Sequence, residues 1–260
     1  MKNLTNMIFI VGCLIAAYAL YYLVLGDPSN FNDVDTKLDP KNSLGTIYTG
    51  GFLVGLLIAC ILVAITYTIE RMLTIGRAGG AKDMRDFGSS VVASVKSGNY
   101  ADAIAACDMQ RGSLANVLNA AVSRFAAIEK DPSLSGDQKI AETQRVIDEN
   151  MNLETPLLEK NLPILSTVAS VSTMIGLLGT TLGMIRSFQA LGASGTVSAQ
   201  ALSIGISEAL YNTAGGLIAA ILSIVAYNYF TSKVDDFTYR MDETLLDLMQ
   251  TLAVKTGTKA

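Results

Sequence analysis

Residues 161–185 read NLPILSTVASVSTMIGLLGTTLGMI and carry no charged side chain. A helix needs about 20 apolar residues to cross the hydrocarbon core of a bilayer, so this stretch is long enough to do so. A second stretch, 202–232, follows a short Gly/Ser/Thr-rich segment and has Glu208 as its only charge. The two stretches predict a pair of membrane-spanning helices joined by a short loop.

Two more charge-free windows, 4–25 and 47–69, lie nearer the N-terminus. The composition agrees with a membrane protein, because 50% of the residues are hydrophobic and only 16% are charged, less charge than the surface of a soluble domain needs. The predicted fold class is an all-α integral membrane protein with four transmembrane helices and a helical cytoplasmic domain.

The charges between the windows orient the chain, because Lys and Arg near span ends stay on the cytoplasmic side. The loop after the first window is acidic, and the segment after the second window is basic. The loop carries Asp27, Asp33, Asp35 and Asp39 against Lys37 and Lys41, and the segment carries Arg71, Arg77, Lys82 and Arg85. Both termini are therefore predicted to be cytoplasmic.

These observations divide the chain into eight predicted segments. They are a transmembrane helix (1–25), a periplasmic loop (26–46), a transmembrane helix (47–71), a cytoplasmic helical domain (72–160), a transmembrane helix (161–188), a short periplasmic loop (189–201), a transmembrane helix (202–232) and a cytoplasmic C-terminal helix or tail (233–260). The first of them has another interpretation, a cleaved signal peptide. Its length and its lack of a small-residue cleavage site favour a retained helix.

Composition also excludes several functions. The net charge of -4 leaves no basic patch for counterion release, so nucleic-acid binding is not expected. Histidine is absent and Cys13, Cys60 and Cys107 are isolated from one another, so no metal or other cofactor is predicted. A membrane hydrolase needs a base beside its nucleophile, and the spans offer serines but no His or Lys. The chain is not predicted to be an enzyme.

The segment 72–160 is rich in charge, and its apolar residues recur at helical spacing. They are Val91, Val95, Leu114, Val117, Leu118, Val122 and Phe125. Breaks are predicted at residues 98–99, 111–112 and 131–132. Ser135 and Gln138 form a capping-box pattern, which predicts the start of a long helix that continues into the third span.

Small residues at four-residue spacing are concentrated in the last two spans, where they allow close helix packing in lipid. The predicted packing residues are Gly176, Gly179, Gly183, Gly216 and Ala220, with Gly51 and Gly55 as a further pair. Their concentration predicts a tight bundle or oligomer.

Hydroxyls recur every seven residues on the third span, at Ser166, Thr173, Thr180 and Ser187, and form one helical stripe. The stripe predicts a polar pore lining, and the alternative is that each hydroxyl bonds to a carbonyl of its own helix. Helix rise places Thr213 of the fourth span near the level of Thr180.

Glu208 is a carboxylate in an otherwise apolar helix, and such a residue usually faces protein or water because its insertion costs roughly 2.5–3.5 kcal/mol at the bilayer centre. Alternatively, it lies shallow enough to reach the outer interface. Within the windows 4–25, 47–69, 161–185 and 202–232, Glu208 is the only acidic residue. A proton path through them would therefore need a second chain.

Two runs resemble the ExbB/TolQ/MotA proton channel family. GLLGTTLGMI (176–185), followed by Phe188, is similar to the second core helix of ExbB and TolQ. GISEAL (205–210) and TAGGL (213–217) are similar to the third core helix. The resemblance covers the chain from about Gly50 onward, so residues 1–46 are an extra span beyond the three-span core. Leu222 stands where relatives often have proline.

The resemblance implies a homopentamer in the bacterial inner membrane, with the last two spans around a pore. It also implies a dimer of an ExbD/TolR-like single-span protein bearing the proton-accepting aspartate, and a TonB/TolA-like protein as a further partner. Thr180 and Thr213 match the family's pore-facing threonines, and Glu208 matches its intramembrane glutamate.

The implied function is a pore-forming stator subunit of a motor driven by the proton-motive force, which performs mechanical work on a periplasmic or outer-membrane partner. The residues leave open sodium in place of the proton, a motility stator, and a membrane scaffold that recruits partners without moving an ion.

Overall fold

Four apolar helical stretches in the computed structural model are long enough to cross a membrane. The structure describes residues 2–33, 37, 39–194 and 199–257, with side chains over 7–33, 37, 39–189 and 202–257. The four stretches lie in Met7–Leu25, Phe52–Ala78, Gly136–Gln189 and Leu202–Thr256. The predicted all-α membrane fold is confirmed.

The described chain contains nine α-helices and two short helical turns. The helices are α1 (Lys2–Leu20), α2 (Ser43–Tyr48), α3 (Phe52–Ala78), α4 (Met84–Lys96), α5 (Tyr100–Gln110), α6 (Ser113–Ile128), α7 (Gly136–Glu159), α8 (Leu162–Ser194) and α9 (Ala199–Thr256). A π-helical turn, Tyr21–Leu25, continues α1, and a 3-10 turn, Pro28–Asn30, follows it. α9 passes Leu222 without a break.

The chain forms two compact units, which we call the apolar unit and the polar unit. The apolar unit comprises Met1–Ile69 and Asn161–Asn228, and the polar unit comprises Glu70–Lys160 and Tyr229–Ala260. Many large apolar side chains lie on the outside of the apolar unit, among them Ile8, Leu177, Ile221 and Val225. A surface of this kind is stable in contact with lipid or with further protein.

The second span begins later than predicted. The sequence predicts its start at residue 47, whereas α2 ends at Tyr48 and α3 starts at Phe52. Gly51 interrupts the helix with a φ of +79°, a conformation that glycine adopts without the steric cost other residues meet. α3 then continues to Ala78, past the predicted end at residue 71.

The prediction of one helix running from the domain into the third span was wrong. α7 ends at Glu159, α8 starts at Leu162, and Asn161 between them has a φ of +67°. Asparagine is among the residues that tolerate this left-handed conformation, which no α-helix can contain.

The last two spans extend into the predicted loop and tail. α8 continues to Ser194 and α9 begins at Ala199, so both helices enter the predicted loop 189–201. Its residues 195–198 lie outside the described residues, as do residues 34–36 and 38 of the first loop and 258–260 of the tail. The predicted tail is helical through Thr256.

The polar unit has its own apolar core. All seven apolar residues that helical spacing singled out in 72–160 are buried, and Leu245, Leu248 and Leu252 of α9 are buried with them. Ser135 and Gln138 form the predicted capping box, in which each side chain accepts a hydrogen bond from the other residue's backbone N–H. The sequence therefore identified both the core face and the start of α7.

The C-terminal end of α9 is fastened within the polar unit by a polar contact. Lys255 donates to the Tyr100 hydroxyl over 2.6 Å, and that hydroxyl donates to Glu129 over 2.5 Å. Burial, followed by the hydrogen bond to Glu129, raises the pKa of Tyr100. The hydroxyl therefore stays protonated at neutral pH and continues to donate.

Candidate functional site

Glycines bring the backbones of α8 and α9 into direct contact. A Cβ atom on Gly216 would lie 2.7 Å from the Ser172 carbonyl oxygen and 2.9 Å from the Cα of Gly176. Real Cβ atoms do not approach other atoms this closely, so a larger residue would push the helices apart. In lipid, where hydrophobicity does not drive helix association, such close contact is a main source of attraction.

The same close approach continues toward the C-terminal end of α8. A Cβ on Gly183 would lie 2.8 Å from the Gly205 carbonyl oxygen, and a Cβ on Gly179 would overlap the Asn212 side chain. Ala220, further along α9, is half-buried. The structure thus places four of the predicted glycines at one helix interface. Ala220 lies about one helical turn beyond Gly216 on α9.

Thr180 of α8 and Thr213 of α9 meet at this interface. Their hydroxyl oxygens are 2.9 Å apart, and both side chains are half-buried. Each hydroxyl also lies within hydrogen-bond distance of the Gly176 carbonyl oxygen, at 3.2 Å for Thr180 and 3.4 Å for Thr213. The two threonines, predicted from separate spans, therefore form one hydrogen-bonded pair.

The other hydroxyls of the α8 stripe are not part of this hydrogen-bonded pair. Thr173 is exposed and donates to the Ala169 carbonyl over 3.0 Å, while buried Ser187 donates to Gly183 over 3.0 Å. Ser166 is half-buried, two helical turns before Thr173. For Thr173 and Ser187 the structure has the alternative arrangement, in which the hydroxyl bonds to its own helix.

Asn212 is a buried residue that the sequence reasoning missed. Its side-chain amide donates to the Gly50 carbonyl over 2.7 Å and to the Glu208 carbonyl over 3.1 Å. Its Oδ1 atom is buried and has no hydrogen-bond partner among the described atoms. The available signal was an amide between Glu208 and Thr213, in the middle of an otherwise apolar span.

Glu208 forms an ion pair with Arg186 of α8. Glu208 is buried, whereas about half of the Arg186 side chain is exposed. The turn at residues 49–51 lies against the pair, because a Cβ on Gly51 would be 2.9 Å from Glu208 Oε1 and 3.5 Å from an Arg186 nitrogen. Arg186 lies one residue beyond the charge-free window 161–185, so the sequence did not predict it as the partner of Glu208.

The charges of the spans cancel. Over the described side chains at 52–69, 162–189 and 202–228, Arg186 and Glu208 are the only ionised residues. Within the described residues, no three potential metal ligands come together. The hydroxyls of Thr180 and Thr213 can donate and accept hydrogen bonds but do not ionise at neutral pH. Apart from the paired Glu208 and Arg186, the described side chains at this interface offer hydroxyl and amide groups that can form hydrogen bonds.

Comparison with known proteins identifies the family to which the segment with the α8–α9 interface is similar. The MotA/TolQ/ExbB proton channel family matches residues 111–243, which is just over half of the chain. The chain belongs to this family. The match includes α6, α7, α8 and most of α9, and it leaves out residues 1–110. The MotA/TolQ/ExbB segment therefore contains every residue of the α8–α9 interface described above.

Curated relatives match over shorter segments. The Tol-Pal system protein TolQ of Haemophilus influenzae is 44% identical over 93 residues, 36% of this chain and 41% of TolQ. TolQ of Pseudomonas aeruginosa is 33% identical over 117 residues, 45% of this chain and 51% of the relative. The biopolymer transport protein ExbB of Aquifex aeolicus is 44% identical over 77 residues, 30% of this chain and 52% of ExbB. The chain thus spans about half, or less, of the length of these family members.

We expect Gly179→Ala to destabilise the apolar unit by about 1–3 kcal/mol, because the new methyl group would overlap Asn212 and force α8 away from α9. The melting temperature of the detergent-solubilised protein measures this change. Gly12→Ala in α1 is the matched control, since a Cβ there meets nothing within 4 Å. Equal melting temperatures for the two variants would show that α8 and α9 do not pack as described.

Proposed function

We propose that this chain is the pore-forming stator subunit of a motor driven by the proton-motive force in the bacterial inner membrane. The observation that carries the proposal is the Thr180–Thr213 contact, at the interface of two spans whose charged residues neutralise each other. Membership of a proton channel family supports it. In this proposal α8 and α9 of five subunits surround the pore, and both termini are cytoplasmic.

The proton carrier in this proposal is a carboxylate on another chain. The described spans supply hydroxyls and one neutralised ion pair, so a single-span partner of the ExbD/TolR kind would bring the aspartate. A dimer of this partner would occupy the pore. An ionised carboxylate in low dielectric is costly, and protonation removes that cost, which lets the partner helix move past the threonine hydroxyls.

The output of such a motor is mechanical work. One proton crossing 100 mV supplies about 2.3 kcal/mol, which is enough to bias a two-state packing change. The relatives named as Tol-Pal and biopolymer transport proteins favour work on a TonB- or TolA-like protein in the periplasm. A motility stator is the related alternative, and a scaffold that moves no ion is the alternative from another class.

Native mass spectrometry of the chain, co-expressed with a single-span protein of the ExbD/TolR kind, tests the assembly. We expect a pentamer of this chain that holds a dimer of the partner, because a pore formed by α8 and α9 needs several copies around the carrier. A monomer or dimer without the partner would rule out the proposed pore and favour the scaffold.

We expect Thr180→Val combined with Thr213→Val to reduce proton flux by about tenfold or more, because two hydroxyls worth roughly 0.5–1.5 kcal/mol each are lost at the carrier's path. Flux through the complex in proteoliposomes, read with a pH-sensitive dye, measures the effect. Valine keeps the shape of threonine, so assembly should persist.

Thr181→Val is the matched control for this experiment. Thr181 is adjacent to Thr180 but exposed, and its hydroxyl donates to the Leu178 carbonyl of its own helix over 2.8 Å. Its replacement should leave flux unchanged. Unaltered flux in the double variant, with Thr181→Val as the reference, would rule out a path along the paired hydroxyls.

Variants of the Arg186–Glu208 pair distinguish the channel hypothesis from the scaffold hypothesis. We expect Glu208→Gln or Arg186→Gln alone to abolish most of the flux, because each leaves one uncompensated charge beside the path. Glu208→Gln with Arg186→Gln removes both charges and should recover part of it. A scaffold would tolerate Glu208→Gln with no loss of its output, and a proton-carrying Glu208 would leave the double variant as inactive as the single one.

A further inference from the structure

The first span lies outside the family match, yet it packs closely on α3 within the apolar unit. The Tyr18 ring fills the space beside Gly55, where a Cβ would lie 2.8 Å from a ring carbon. The Tyr18 hydroxyl donates to the Phe52 carbonyl over 3.3 Å, and Cys13 Sγ lies 3.7 Å from the Thr66 hydroxyl. α1 therefore runs antiparallel to α3 and reaches its first residue.

An aromatic cluster joins the end of the first span to α2. The Tyr21 hydroxyl donates to the Tyr48 carbonyl over 3.2 Å, and the two rings stack with their centroids 4.7 Å apart. Tyr21, Leu25 and Val54 form a buried apolar cluster against which Tyr48 packs. Tyr48 is the last residue of α2, so the cluster holds the chain at the entrance to the turn at residues 49–51.

The loop between the first span and α2, which we call the outer loop, also contacts this cluster. Asn30 donates to the Val24 carbonyl over 2.7 Å and accepts from Asn42 over 2.9 Å. Asn42 in turn caps the N-terminus of α2. Lys37 donates to the Gly26 carbonyl over 2.7 Å and lies 5.4 Å from the Tyr48 ring centroid. Each end of α2 is thus bound to the first span or to the loop that follows it.

The turn at residues 49–51 meets the functional residues of α8 and α9. The Gly50 carbonyl accepts from Asn212, and Gly51 lies against Glu208 and Arg186. The position of this turn therefore decides whether the Asn212 amide reaches its acceptor outside α9. It also sets how closely Gly51 packs against the Arg186–Glu208 pair.

We propose that the first span and the outer loop are a positioning segment, in which Tyr21 holds the turn at residues 49–51 against Asn212 and Glu208. The segment supplies from the same chain a rigid support for the outer part of α9. Tyr21 and Tyr48 are positioning residues, since they act through the turn and touch neither Thr180 nor Thr213. The consequence for ion flux rests on the function proposed above, whereas the support of the turn does not.

Hydrogen exchange of the intact complex, resolved by mass spectrometry, tests the support. The amides of Gly51 and Val54 are hydrogen-bonded to the carbonyls of Tyr48 and Gly51. Tyr21→Phe removes one hydroxyl and keeps the ring, and we expect these amides to exchange about two- to tenfold faster, as a lost neutral hydrogen bond would give. Tyr22→Phe is the control, because Tyr22 is exposed and adjacent in sequence.

A double-variant cycle tests whether Tyr21 acts on Asn212. Tyr21→Phe and Asn212→Ala loosen the same turn from opposite sides, so their effects on exchange at Gly51 should be non-additive. Flux should fall about twofold or more in Tyr21→Phe, with assembly unchanged, and stay at the wild-type level in Tyr22→Phe.

Two outcomes would overturn the inference: unchanged exchange at Gly51 and Val54 in Tyr21→Phe, or additive effects in the cycle. A wild-type complex that carries no ions would instead contradict the proposed function. The exchange measurements would still decide whether the first span positions the turn.

Discussion

The apolar unit depends on the contact between the backbones of α8 and α9. In lipid, an apolar side chain gains nothing by leaving hydrocarbon for another helix, so attraction comes from close packing and hydrogen bonds. At Gly176 and Gly216 the two backbones pack directly on each other, because neither residue has a side chain. The approach then brings Thr180 within 2.9 Å of Thr213, a distance that larger residues at the glycine positions would prevent.

The same contact explains how a buried amide is accommodated. Asn212 faces α8 at Gly179, and its amide group reaches a carbonyl that is available because the chain turns at Gly51 before α3 begins. A buried polar group without a partner costs free energy, and water cannot relieve that cost in hydrocarbon. The Gly50 carbonyl at the break before α3 thus accepts a hydrogen bond from the buried Asn212 amide nitrogen, and this contact joins three spans at one point.

The sequence predicted the spans, the glycine interface and the level of the two threonines, because charge-free length, residue size and helix rise are local properties. It did not predict the Arg186–Glu208 pair, since no periodicity relates the end of one helix to the start of the next. Gly51 was interpreted as a packing residue, because a lone glycine in an apolar run has the same appearance in a helix and in a turn. The break at Asn161 was missed for a similar reason, since an asparagine in a polar segment does not by itself stop a helix.

The ion pair limits what Glu208 can do. A residue that carries a proton across a membrane must exist in both charge states during each cycle, and its environment must allow both. The Glu208 carboxylate is already paired with the guanidinium of Arg186 in its own chain, and such charge-assisted contacts fix the geometry of both groups. Glu208 therefore suits a fixed electrostatic role in the proposed channel, where its charge balances that of Arg186. In the motor proposed above, the alternation between charged and neutral states therefore belongs to a carboxylate on a separate chain, whose helix can move past Thr180 and Thr213.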